Sequence, residues 1–286
     1  MKSKKALKIS LISLASLVLV AAIVLAVFII GFKNQKYERY NPSTDTEILN
    51  EAEMRKILEK PLSEITDEEY SVLYLQTGLT KLGVASVMED EGIEGVLYFQ
   101  EMYFDEYELV DDFFAPFCNY ISMDSYADMV PLQNGDIIVA ASTFFAGWKL
   151  GHAALVIDAD KGYVLEAIGI GSDSTIGYAD ILLERPSFMV LRPNVDPEIV
   201  ENVVQYAKNN LLGIPYDPTV GILSPKYDPE IPQTQCSHII WFAFMQYGID
   251  LDSNGGLLVM PKDISNSQYL DLVQNFGFHP EELWKE

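Results

Sequence analysis

Gln233-Thr-Gln-Cys-Ser-His-Ile-Ile-Trp-Phe-Ala-Phe244 and, far upstream, Gly151-His-Ala-Ala-Leu-Val-Ile-Asp158 are the stretches on which the reading of this chain turns. The first puts Cys236 at the head of an apolar run that ends near Gly248. A run apolar nearly all round predicts a helix buried against a sheet. A thiol at a helix N-terminus faces unpaired N–H groups and the positive end of the helix dipole, which favour the thiolate. The second stretch predicts a strand over Ala153–Ile157 with His152 at its start. A thiolate with an imidazole in reach is an activated nucleophile.

Working outward from His152, Asp158-Ala-Asp-Lys-Gly162 is a turn and Tyr163–Ile168 the returning strand. With the turn centred on Asp160, Glu166 lies opposite Ala154 and diagonally beside His152 on one face. A carboxylate there can accept a hydrogen bond from one ring nitrogen and leave the other for the thiol. A turn shifted by half a residue would put Glu166 on the wrong face. Two further strands are expected, Ile137–Ala140 after the Asn134-Gly135-Asp136 turn, and Phe188–Leu191. Asp196-Pro197-Glu198 opens a helix with Asp196 as N-cap and Pro197 in its first turn. A proline-rich loop then leads to Cys236.

Upstream of Pro131 the pattern differs. Thr66-Asp-Glu-Glu69 is a capping box, followed by Tyr70, Leu73 and Tyr74 at helical spacing, with Gly78 as the stop. Residues 46–130 are read as a mostly helical segment, 33–45 as a linker, and 131–286 as the domain holding Cys236 and His152. Ile9–Phe32 is an uncharged apolar run, long enough for the ~20 residues a bilayer-crossing helix needs. Lys2, Lys4, Lys5 and Lys8 precede it. The expectation is a single-pass signal anchor with residues 1–8 as a cytoplasmic tip, membrane attachment through the N-terminal helix, and the remaining chain extracytoplasmic. A cleavable signal peptide is the alternative.

The net charge is −23; residues 1–39 hold seven Lys/Arg and one Glu, so they carry +6 and the remainder −29. That acidity argues against a nucleic-acid partner, whose phosphates need Lys and Arg. The only two cysteines, Cys118 and Cys236, leave a disulfide between them open. Neither CxxC nor HxxxH spacing occurs, so neither a metal nor another cofactor is expected.

The blocks Leu132-Gln-Asn-Gly-Asp-Ile-Ile-Val, Gly151-His-Ala-Ala-Leu-Val-Ile, Val164-Leu-Glu-Ala, Gly213-Ile-Pro-Tyr-Asp217, Cys236-Ser-His-Ile-Ile-Trp and Val259-Met-Pro-Lys-Asp-Ile264 occur in a telling order. Together they resemble the circularly permuted branch of the NlpC/P60 superfamily, the YiiX/YebB-like cysteine hydrolases, over about Pro131–Val273. The resemblance implies an α+β, papain-like fold. An antiparallel sheet packs on the Cys-bearing helix, here preceded by a transmembrane helix and a helical segment. It also implies a Cys-His-Glu triad, which falls on Cys236, His152 and Glu166. Tyr216 and His238 are read as substrate-binding pocket residues; His238 stands where these proteins commonly have Glu. The implied activity is cleavage of an amide or ester through an acyl-thioester, with a peptide or acyl partner such as peptidoglycan. Lipid acyl transfer or thioesterase chemistry, and a non-catalytic binding module with a relict triad, are the rival readings.

Overall fold

Strand and helix signals separate cleanly along the chain. The computed structural model describes residues 16–24, 39–111, 118–122, 127–141, 144–145 and 148–284. After a helical stretch at residues 16–24 come α1 (Glu51–Leu58), α2 (Asp67–Thr77), α3 (Lys81–Asp90) and α4 (Gly92–Phe104). Reciprocal capping boxes start α1 (Asn50 with Glu53) and α2 (Thr66 with Glu69), each satisfying two otherwise orphaned N–H groups. Gly78 ends α2 at φ 71°, a left-handed position open to glycine at no steric cost. A short hairpin, β1 (Leu109–Asp111) with β2 (Asn119–Ile121), then interrupts the segment expected to be mostly helical.

The centre of the molecule is a six-stranded, fully antiparallel sheet, making the architecture mixed α/β. β3 (Ile137–Ala140), β6 (His152–Asp158), β7 (Tyr163–Glu166), β8 (Thr175–Tyr178), β9 (Phe188–Pro193) and β10 (Leu270–Phe276) stand in the order β10-β9-β3-β6-β7-β8. A two-stranded ribbon, β4 (Phe144–Phe145) with β5 (Trp148–Lys149), joins β3 to β6. Three helices complete the chain: α5 (Pro197–Asn210), α6 (Cys236–Met245) and α7 (Pro261–Ser265). Asp196 caps α5 by accepting from the Glu198 N–H, with Pro197 in the first turn.

β3 and the middle of β6 are buried on both faces, so each face needs a cover. Ile137, Val139, Ala153, Leu155, Ile157 and Leu165 pack against Val203, Ala207 and the apolar body of α6. On the opposite face, Ile138, Ala140, Ala154, Val156 and Val164 pack against Met54, Leu73, Val87 and Phe99 of the N-terminal helices. The described part of residues 46–130 therefore forms one wall of the molecule's core. They are stitched to β10 by backbone bonds from Thr80 N–H to the Val273 carbonyl (3.0 Å) and from Asn275 N–H to the Gly78 carbonyl (2.8 Å).

One part of the expected architecture is corrected. No helix among the described residues is long and apolar enough to cross a membrane. Within the Ile9–Phe32 run only residues 16–24 are described, as a helix. The rest of that run, the cytoplasmic tip and residues 33–38 of the expected linker lie outside the described residues.

At the end of the sheet away from His152, buried Asp136 takes the Arg192 guanidinium in two parallel bonds of 2.9 and 2.8 Å and accepts the Gln133 N–H. That pairing satisfies both carboxylate oxygens and fixes the start of β3.

Candidate active site

Three distant segments converge where α6 meets β6. Cys236 is the first residue of α6, and Gln235 is its N-cap, accepting the Ser237 N–H at 3.1 Å. α6 packs on the β6 face that carries Ala153, which brings the thiol to the head of the strand. The thiol stands 3.4 Å from Gln235 Oε1, and the His152 ring and the Ala153 N–H are near enough to act on its charge. On its other side, the His152 ring meets Glu166: Nε2 stands 2.8 Å from Oε2. An ionised carboxylate only accepts, so Nε2 carries the proton and Nδ1 is left for the sulfur. Cys236, His152 and Glu166 are 6, 8 and 8 % exposed, so this contact operates with little competition from water.

Glu166 owes its place to a flaw in the hairpin ladder. Next to the turn, Asp158 pairs with Tyr163. Continued without interruption, that register would set Glu166 opposite Leu155, on the face away from His152. A bulge between Val156 and Asp158 absorbs one residue, and beyond it Leu155 pairs with Leu165. Glu166 then falls opposite Ala154 and shares the face of His152. The turn is thus centred half a residue beyond Asp160, and the bulge restores the alignment.

Electrostatics follow from the geometry. Burial by itself raises the Cys236 thiol pKa; the hydrogen bond and charge of His152, with the Ala153 N–H and the Ser237 side chain, outweigh burial and hold it below its ordinary value. Burial by itself lowers the His152 pKa; hydrogen bonds and charge from Cys236 and Glu166 outweigh it and carry the ring up to about 9. The pair is therefore disposed toward thiolate and imidazolium. The N-terminal end of the α6 dipole works in the same direction. Cys236 is a free thiol, so no disulfide ties up its sulfur.

Tyr216 and His238 part company. Tyr216 sits in the 213–217 segment, whose backbone pairs with 172–174 and with Thr234, just ahead of α6. Burial and the Cys236 charge both raise its hydroxyl pKa, so the hydroxyl keeps its proton. His238 is clamped elsewhere. Its Nε2 donates to the Lys226 carbonyl (2.7 Å), which leaves Nδ1 to accept from the Thr234 hydroxyl (2.9 Å). Burial lowers its pKa, and its ring lies against Trp241. Two residues along a helix is about 200° of rotation, so Cys236 and His238 leave α6 on different sides. Tyr216 lies within range of the Cys236 charge, and His238 pins the proline-rich loop.

Sequence reasoning missed the Ala153 N–H, which has no sequence signal, and Gln235, whose position before a helix-heading cysteine marks it as a cap. Among the described residues no cluster of His, Cys, Asp and Glu could hold a metal ion.

Comparison with known proteins yields one short match. Over 39 residues the chain is 57% identical to "Uncharacterized protein YycO" of Bacillus subtilis (strain 168), covering 13% of this chain and 16% of that protein. No family model and no solved structure matches.

Proposed function

We propose that this protein is a thiol hydrolase that cleaves an amide or ester through an acyl-enzyme on Cys236. The observation that carries the reading is the ordered chain of contacts from Cys236 to His152 to Glu166, nearly dry and headed by a helix N-terminus. The Cys236 thiolate adds to the substrate carbonyl carbon, and the negative charge moves to its oxygen. The Cys236 N–H, in the first turn of α6, is the donor proposed for that oxyanion. As the tetrahedral species collapses, protonated His152 gives its proton to the leaving amine or alcohol, leaving a thioester. Neutral His152 then takes a proton from water as water attacks the thioester, which releases the acid and restores the thiolate–imidazolium pair. Glu166 keeps the ring in one tautomer and one orientation throughout. Among amides and esters, cell-wall peptides are the substrate class suggested by the resemblance to permuted NlpC/P60 hydrolases.

Alkylation of the folded protein by iodoacetamide at pH 7 tests the reading. Cys236 is expected to react rapidly, and His152→Ala to slow it by about 10- to 100-fold, the scale of losing a charge-assisted hydrogen bond. Slow alkylation indifferent to His152 would mean a binding module with an ordinary thiol.

A further inference from the structure

We infer that Gly177 is a positioning residue of this site, because the missing side chain at 177 is the seat of the Glu166 carboxylate. The inference rests on the thiol-hydrolase reading and extends it to a residue without chemistry of its own. Gly177 lies inside β8, where it pairs with Val164, while Glu166 pairs with Thr175. Glu166 and Gly177 are therefore diagonal neighbours on one face of the sheet. A Cβ placed on Gly177 would stand 2.0 Å from Glu166 Oε1 and 2.8 Å from its Cδ. The other oxygen of the same carboxylate, Oε2, is the one bound to His152.

What the Cβ would strike decides the consequence. Glycine inside a strand weakens the strand and marks close approach by another group. Here the approaching group is the end of a flexible side chain, and Gly177 does not have a positive φ. Alanine thus fits the backbone at 177, and relief comes by swinging the carboxylate away. The strand survives the substitution; the bond from Glu166 to His152 does not. A glycine kept for packing or for backbone freedom would behave in the opposite way.

The experiment compares the pH profile of Cys236 alkylation in wild type, Gly177→Ala, Glu166→Gln and the double variant, with Tm recorded for each. Gly177→Ala is expected to reproduce the Glu166→Gln profile, with its midpoint moved up toward that of a free thiol and the rate at pH 6–7 lowered about 10- to 100-fold. Its Tm should fall no further than that of Glu166→Gln, which gives up the same buried bond. The double variant should lose nothing beyond either single change, since both act through one bond. A wild-type profile for Gly177→Ala, additive losses in the double variant, or a Tm well below that of Glu166→Gln would each overturn the inference. Alkylation indifferent to both His152→Ala and Glu166→Gln would sink the hydrolase reading and the inference with it; a His152-dependent thiol with a wild-type Gly177→Ala profile would sink the inference alone.

Discussion

At the residue scale the sulfur and the ring titrate as one unit, so the observable pH limits belong to the pair. The lowered thiol sets the acid limb: as pH falls through it the thiolate is protonated and the nucleophile is lost. The raised imidazole, at about 9, sets the alkaline limb: as pH climbs through it the proton for the leaving group is lost. Hydrolysis should therefore follow a bell over pH, while alkylation, which needs only the thiolate, should rise from the acid side without declining above pH 9. Coincident alkaline limbs in the two assays would contradict the assignment of His152 as the acid. Cys236, His152 and Glu166 were legible in the sequence because each is a polar residue set into or against an apolar run. Gly177 was not, since what its absent side chain accommodates depends on a diagonal contact across a ladder whose partner strand carried no recognisable signal. His238 was misplaced for a simpler reason: nearness to Cys236 in sequence says little on a helix, where a step of two residues changes sides.

At the element scale the β6–β7 hairpin shows how a site residue can depend on ladder arithmetic. Its strands were readable from their apolar runs, but no sequence rule marks Ile157 as the place where the ladder takes up an extra residue. Deleting Ile157 should remove the bulge while leaving Leu155 opposite Leu165, and hence Glu166 opposite Ala154. The variant is expected to lose stability, because Ile157 is 1 % exposed in the core, yet to keep the dependence of Cys236 alkylation on His152. Loss of that dependence in a folded deletion variant would show that the bulge itself, rather than the register beyond it, places Glu166. The capping box of α2 and the cap of α5 were readable because each uses local side-chain bonds; β8 and β10 escaped notice because their residues, Thr175–Tyr178 and Leu270–Phe276, alternate too weakly to announce strands.

For the whole molecule, the decisive feature is that the two faces of the sheet are closed by helices from opposite ends of the chain. The helical character of much of 46–130 could be read from caps and periodicity, but its role as one wall of a shared core could not, since that depends on which sheet face lacks a partner. Phe99, 1 % exposed on α4, belongs to the same cluster as Ala154 and Val156 of the His152 strand. Phe99→Ala should cost about 3–5 kcal/mol. If both layers melt together, hydrogen exchange of α6 amides on the far side of the sheet should accelerate by the corresponding factor. Unchanged α6 protection would instead mean that the N-terminal helices unfold on their own.

The convergence of three remote segments at the head of α6 also sets a birth order. A ribosome makes the ring and its carboxylate well before the sulfur, and the walls that dry the cleft include helices laid down earlier still. A nascent or misfolded copy therefore bears an ordinary thiol, and the proposed reactivity waits until the last piece has docked.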